Sequence, residues 1–199
     1  MDETGMKPLT LDDLIPLEEY AGRRREFYQT HRRYLDRYRR VRIGPHLTLL
    51  FENRQTLLFR VQEIVRIARL IDPDRLQEEL DLHNPLLPGP DQLQAALVID
   101  IPDDGPQAGE LALWKNLQGE HIGFRIGDIR VPATLVTCRP EDRCAGTAHW
   151  VRFPLDAAAR RRLADADAPA FFECSADFYR HHSSALTEDL RQSLLQDLS

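Results

Sequence analysis

The sequence contains no apolar run approaching the roughly 18 residues that a membrane-spanning helix requires, which excludes an integral helical membrane protein. Its opening, MDETGMKPLTLDD, is acidic and lacks an apolar signal core, so a secretory leader is not expected and a cytoplasmic location is. Only three cysteines are present (Cys138, Cys144 and Cys174), at irregular spacing and without a C-x-x-C pair. That excludes a disulfide framework and leaves two readings: plain thiols, or a redox or metal-binding pair at Cys138 and Cys144. The sequence has no P-loop, no G-x-G-x-x-G and no G-x-S-x-G, so nothing points to a phosphate cradle or a nucleophile elbow. Ser183 and Ser184 follow two histidines, but adjacency in sequence is not a triad. Internal repeats and low-complexity tracts are absent too.

What is present suits a globular chain. At 199 residues it is long enough for one core, and 42% hydrophobic with 29% charged residues matches an ordinary water-exposed domain. One domain over 1–199 is expected, with 1–42 as a helical amino-terminal arm packed on it. The net charge of −6 hides an asymmetry, because residues 22–42 hold nine arginines against two acids, Glu26 and Asp36. Such a segment can grip an acidic partner, follow a phosphate backbone, or be neutralised by acids of its own chain, for instance those at 72–81. The sequence pI near 5.6 and the lack of a recognition motif disfavour nucleic acid.

Periodicity lays out the elements. Thr10 and Asp13 form a capping-box pattern. Residues 17–40 read as one long helix whose broad apolar face (Leu17, Tyr20, Phe27, Tyr34, Tyr38) is interrupted by Arg24 and His31. Strands follow at 41–43 and 47–51 around a Gly44-Pro45 turn, with Leu47, Leu49 and Phe51 sharing one face. Asn53 is an N-cap for a helix over 54–70, and Glu52 sits beside the positive end of its dipole. Asp72 and Pro73 start a second, short helix. Further strands are expected in LQAALVIDI, HIGFRI, IRVPATLVT, TAHWVRFPL and AFFECS, with a Gly127-Asp128 hairpin turn and Pro132 marking an edge or bulge. Asp156 caps one more helix and Thr187 a terminal one, with YRHHSS read as a link. The plan is α+β: a mostly antiparallel sheet flanked by a long amino-terminal helix, a central helix pair and a carboxy-terminal helix.

Two chemical sites are worth weighing. A metal could draw on His46, His149 and Glu63, ligand types that suit zinc or iron. The spacing gives this no support: no H-x-x-x-H or E-x-x-H pair lies on a helix, and His46 and Glu52 stand about 20 Å apart on a straight strand. No cofactor is therefore predicted outright. Glu63, flanked on its helix by Phe59 and Ile67, is the candidate catalytic residue, because an apolar setting raises a carboxyl pKa toward that of a general acid or base. A salt bridge to Arg66 or to an arginine of the first helix is the alternative. For partner binding the candidates are Arg23, Arg24, Arg32, Arg33, Arg37, Arg39 and Arg40.

The blocks GPHLTLLFENRQTLLFRVQEIVRIARL, LQEELDLHNPLLP, TAHWVRF and YRHH resemble the bacterial family called domain of unknown function 3501. The likeness is dense from Gly44 to Pro88 and thin from Pro102 to Cys144. The resemblance implies no activity. It implies an association with rubrerythrin-like proteins and an iron–sulfur oxidoreductase, whose genes lie beside those of the family. The expected function is thus an accessory, partner-binding protein of a redox or peroxide-handling system, docking through the arginine-rich helix. A metal-dependent enzyme is the alternative, and nucleic-acid binding a third.

Overall fold

The computed structural model describes residues 6–100, 113–114, 116–136 and 149–198. Five helices accompany nine strands among them: α1 (Leu17–Tyr38), α2 (Arg54–Ala68), α3 (Pro73–His83), α4 (Ala157–Ala164) and α5 (Glu188–Asp197). The strands are β1 (Arg40–Ile43), β2 (Leu47–Phe51), β3 (Gln92–Ile99), β4 (Ile122–Ile126), β5 (Ile129–Pro132), β6 (Thr134–Leu135), β7 (His149–Pro154), β8 (Ala170–Ala176) and β9 (Tyr179–His182). They form a five-stranded sheet, ordered β1-β2-β3-β7-β6, and a four-stranded one, ordered β5-β4-β8-β9. Every described pairing is antiparallel, and the fold is α+β. No helix among the described residues is long and apolar enough to cross a membrane.

Alternation in the strands builds the core. In β2, Leu47, Leu49 and Phe51 are buried while Thr48 and Leu50 are half-exposed, as period two requires. The apolar strand β3 is central, with β2 on one side and β7 on the other. The two sheets meet face to face through aromatic rings: Phe51 and Phe153 from the first reach Phe172 of the second at centroid distances of 5.1 and 5.2 Å. Phe172 in turn stacks on Phe124 at 4.1 Å. A second, smaller core of Leu9, Leu57, Val61, Val65 and Leu80 joins the amino-terminal segment to α2 and α3.

Turn chemistry connects these parts. Gly127 takes φ +59° in the two-residue β4–β5 turn, where Ile126 pairs with Ile129. Pro132 closes β5, the edge strand of its sheet, and two residues later Thr134 pairs with Arg152 in the other sheet. The missing proline N–H thus falls where the chain passes between sheets. Gly44 takes φ +63° in the β1–β2 turn, where a Cβ would lie 2.5 Å from the Tyr179 hydroxyl. That hydroxyl donates to the Ile43 carbonyl at 2.6 Å and accepts from the His46 amide at 3.0 Å, pinning the turn to β9.

Some expected boundaries shift. The first helix stops at Tyr38, because Arg39 turns inward and β1 begins at Arg40. The second ends at Ala68, with Arg69 in the left-handed region at φ 51°. YRHH is a strand rather than a link: β9 pairs with β8 from Ala176↔Tyr179 to Glu173↔His182. Its last three side chains are exposed, so no apolar alternation announces it. The Cys138–Cys144 pair lies outside the described residues.

Candidate functional site

The strand-to-helix junction at Glu52–Asn53 is the polar centre of the α1 side of the molecule. Asn53 caps α2: its Oδ1 accepts from the Thr56 amide at 3.0 Å, and the Thr56 hydroxyl accepts from the Asn53 amide at 2.9 Å. The Glu52 carboxylate is only 2% exposed and is held by the Thr56 hydroxyl and by Arg60. Asn53 Nδ2 donates to the Tyr34 hydroxyl at 2.8 Å, which also accepts from Arg39 Nε at 2.9 Å. Arg39 then pairs with Asp197 at the end of α5, both side chains being almost fully buried. Burial pushes the Asp197 carboxyl up, while Arg39 and Asn53 pull it back. One hydrogen-bonded chain therefore links the end of α1, the cap of α2 and the end of α5. From the sequence only the cap was legible, because Arg39 and Asp197 lie 158 residues apart.

Glu63, one turn beyond Phe59 on α2, sits at a second cluster. The Tyr20 hydroxyl donates to it at 2.9 Å, Arg24 Nη2 at 2.9 Å and Arg66 Nη2 at 3.2 Å. Burial alone would raise its pKa, but the bonds from Arg24, Arg66 and Tyr20 outweigh it and lower the value from about 4.5 to about 2. The raised pKa expected of a general acid or base is therefore corrected: two guanidinium groups hold Glu63 ionised. Burial, reinforced by the same carboxylate, pushes the Tyr20 hydroxyl upward.

The proposed metal trio does not assemble. His46 lies in the β1–β2 turn, its Nδ1 2.9 Å from the Asp100 carbonyl. His149 is on β7 in the face shared with buried Val151 and Phe153, toward the second sheet. Glu63 belongs to the helical layer on the other side. Among the described residues no three His, Cys, Asp or Glu side chains gather so as to hold a metal. Cys174 is buried, which pushes its thiol pKa up and lowers its reactivity.

The arginine ridge is largely neutralised by its own chain. Arg23 lies 3.4 Å from Glu26, Arg24 pairs with Glu63, and Arg32 stands 3.9 Å from Asp36. Arg37 meets Asp189 at 2.9 Å, Arg39 meets Asp197, and Arg40 meets Asp36 at 2.9 Å. The acids at 72–81 take no part. The partners come instead from α1 itself, α2 and α5. Arg33, with Arg25 and Arg42, has no carboxylate partner among the described residues.

His31, visible in the sequence only as a break in the apolar face of α1, proves central to the α1–α2 contact. Its ring stacks on Phe59 at 3.8 Å and 9°. Burial, with Arg60 and Arg40 nearby, lowers its pKa to about 4, so the imidazole is neutral at pH 7. It makes no hydrogen bond among the described residues.

Comparison with known proteins agrees with this architecture. A crystal structure described as a novel protein of unknown function from Burkholderia pseudomallei superposes with a TM-score of 0.86 at 31% identity, over 97% of this chain and 100% of that one. No curated protein matches the sequence. The family described as Protein of unknown function (DUF3501) matches residues 8–198, and the chain belongs to it.

Proposed function

We propose that the protein is a cytoplasmic accessory protein that docks an acidic partner along the outer edge of α1. The partner class is the one its family resemblance implies, an iron–sulfur oxidoreductase or a rubrerythrin-like protein of a redox system. One observation carries the reading. Of the 22 residues of α1, only Tyr20 is buried, and the solvent edge keeps Arg25 and Arg33 without a carboxylate partner among the described residues. Arg24, Arg37 and Arg39 tie α1 and its end to the body through Glu63, Asp189 and Asp197; the unpaired ones are free to steer and dock an anionic surface. The docking strip is thus narrower than the nine-arginine ridge.

Co-purification with the candidate oxidoreductase at low and high salt tests it. A complex that weakens with salt and is lost in the Arg25→Glu/Arg33→Glu variant is expected. Arg161→Glu, an exposed site on α4, should leave it intact. The reading fails if no complex forms, or if the complex ignores both salt and the double charge reversal.

A further inference from the structure

β1 is the outer strand of its sheet, and among the described residues no strand pairs with its far side. The Phe51 amide donates to the Arg39 carbonyl at 2.9 Å, and two residues on Val41 faces Leu49 across the ladder. Antiparallel bonding alternates along a strand, so the main-chain groups of Val41 and Ile43 turn toward β2. Those of Arg42 turn outward, where no described strand meets them. An edge of this kind is a template for one more strand.

The edge opens onto a groove of about 350 Å³ whose opposite wall is the segment from Ser183 to Leu190, leading into α5. Three guanidinium groups line the groove against two carboxylates. Arg37 meets Asp189 and Arg40 meets Asp36, each at 2.9 Å. Arg42 is exposed and has no carboxylate partner among the described residues. The groove therefore holds one cation that its own chain leaves unneutralised. Its apolar lining is Val41, Leu186 and Leu190, which belong to the sandwich core or pack against it. Arg33, also unpaired, precedes Arg37 by one turn of α1, so the docking edge leads to this groove.

A second copy of the chain does not suit the edge. Its own β1 would set arginine against arginine, and like charges facing each other across a ladder repel. An anionic strand does suit it. Side chains alternate along a strand, so those on the Arg42 side of an added strand meet a guanidinium, and those on the Val41 side meet Leu186 and Leu190.

We propose that β1 takes up an extended segment of the docked partner in which acidic and apolar residues alternate, its backbone pairing with that of Arg42 and a carboxylate resting on the Arg42 guanidinium. Main-chain bonds supply affinity in such strand addition, and the alternate side chains supply specificity. The inference rests on the docking reading above and names the part of the acidic partner that is held.

Fluorescence anisotropy with a labelled, end-blocked seven-residue peptide alternating glutamate and valine tests it. Saturable one-to-one binding that weakens with salt is expected. Arg42→Glu should weaken it at least tenfold. So should Ala185→Trp, which fills the groove from an exposed position. Arg161→Glu should leave it unchanged. Two further peptides carry N-methyl groups on the glutamates only or on the valines only. An antiparallel added strand turns its glutamate N–H groups toward β1, and a parallel one its valine N–H groups. Binding should therefore fall at least tenfold in one of these peptides and persist in the other. Absence of saturable binding, equal binding of an all-glutamate peptide, indifference to Arg42→Glu and Ala185→Trp, or full retention of both methylated peptides each overturns the inference. The oxidoreductase takes no part in this assay. A complex with it but no peptide binding removes the inference alone; peptide binding without that complex removes the proposed partner alone.

Discussion

Between the two sheets phenylalanine meets phenylalanine; beneath α1 arginine meets carboxylate. The sandwich core is continuous, with Phe51 and Phe124 each in contact with Phe153 and Phe172, which touch each other, and all four fully buried. Its stabilisation scales with apolar area removed from water and carries no dependence on pH. The seat of α1 differs in kind: one buried tyrosine, one His–Phe stack, and ion pairs to Glu63, Asp189 and Asp197. Such contacts are directional, and they weaken with acid and, where exposed, with salt. The difference teaches that α1 can respond to conditions that leave the sandwich untouched.

Damage to each region in turn should have the largest effects. Phe172→Ala should cost about 4 kcal/mol in denaturant unfolding and loosen the whole molecule, because a cavity opens where both sheets meet. Asp197→Ala should cost about 3 kcal/mol, since it leaves Arg39 charged and buried without its partner. The double change Arg39→Leu/Asp197→Leu should cost less than Asp197→Ala alone. If it costs more, the pair stabilises the seat beyond what apolar packing could supply.

A smaller effect separates the regions directly. Glu63→Gln should cost about 1–2 kcal/mol, after allowing for the partial exposure of Arg24. Amide exchange should quicken over residues 17–38 while β3 and β8 keep their protection. Equal loss in both regions would show that α1 is fused to the sandwich rather than latched to it.

Acid should act on the seat in two successive windows. The His31 pKa falls from 6.5 unfolded to about 4 folded, so the unfolded chain takes up the proton first and stability is lost as pH falls from about 6.5 to 4. Glu63 is likewise lowered, from about 4.5 to about 2, so its contribution is present above 4.5 and lost below it. His31→Phe should abolish the first window, worth about 1–2 kcal/mol after discounting for incomplete burial, and leave the second. An unchanged pH profile between 6.5 and 4 would remove His31 as its source. The least effect is expected from Arg33→Glu, within about 0.5 kcal/mol of the parent, because that side chain reaches no carboxylate among the described residues.

Local features were legible in the sequence where a residue acts on its immediate neighbours. Asn53, Asp72, Asp156 and Thr187 each cap the helix they precede, with a side-chain oxygen accepting from an amide two or three residues on. Leu47, Leu49 and Phe51 declared the buried face of β2, and Pro132 declared an edge. The strand at Tyr179–His182 was not legible, because only its pairing with β8 makes it one. Nor was the state of Glu63. Its neighbours Phe59 and Ile67 argued for a raised pKa and a salt bridge to Arg66 or a first-helix arginine for the opposite; the order of residues could not choose, and Arg24, arriving from 39 residues away, decides for the salt bridge.

Capped helices, alternating strands and an arginine-dense segment in an anionic chain are written in the order of the amino acids. Hydrogen-bond reach and side-chain period act over a few residues, so these follow from local order alone. The closed fold sets the rest: which arginines are spent on internal carboxylates and which have none in reach, that His46, His149 and Glu63 stay apart, and that His31 comes to rest on Phe59. Ion pairing and burial depend on distance in space, and a linear string carries no such distance until the sheets and helices have closed around it.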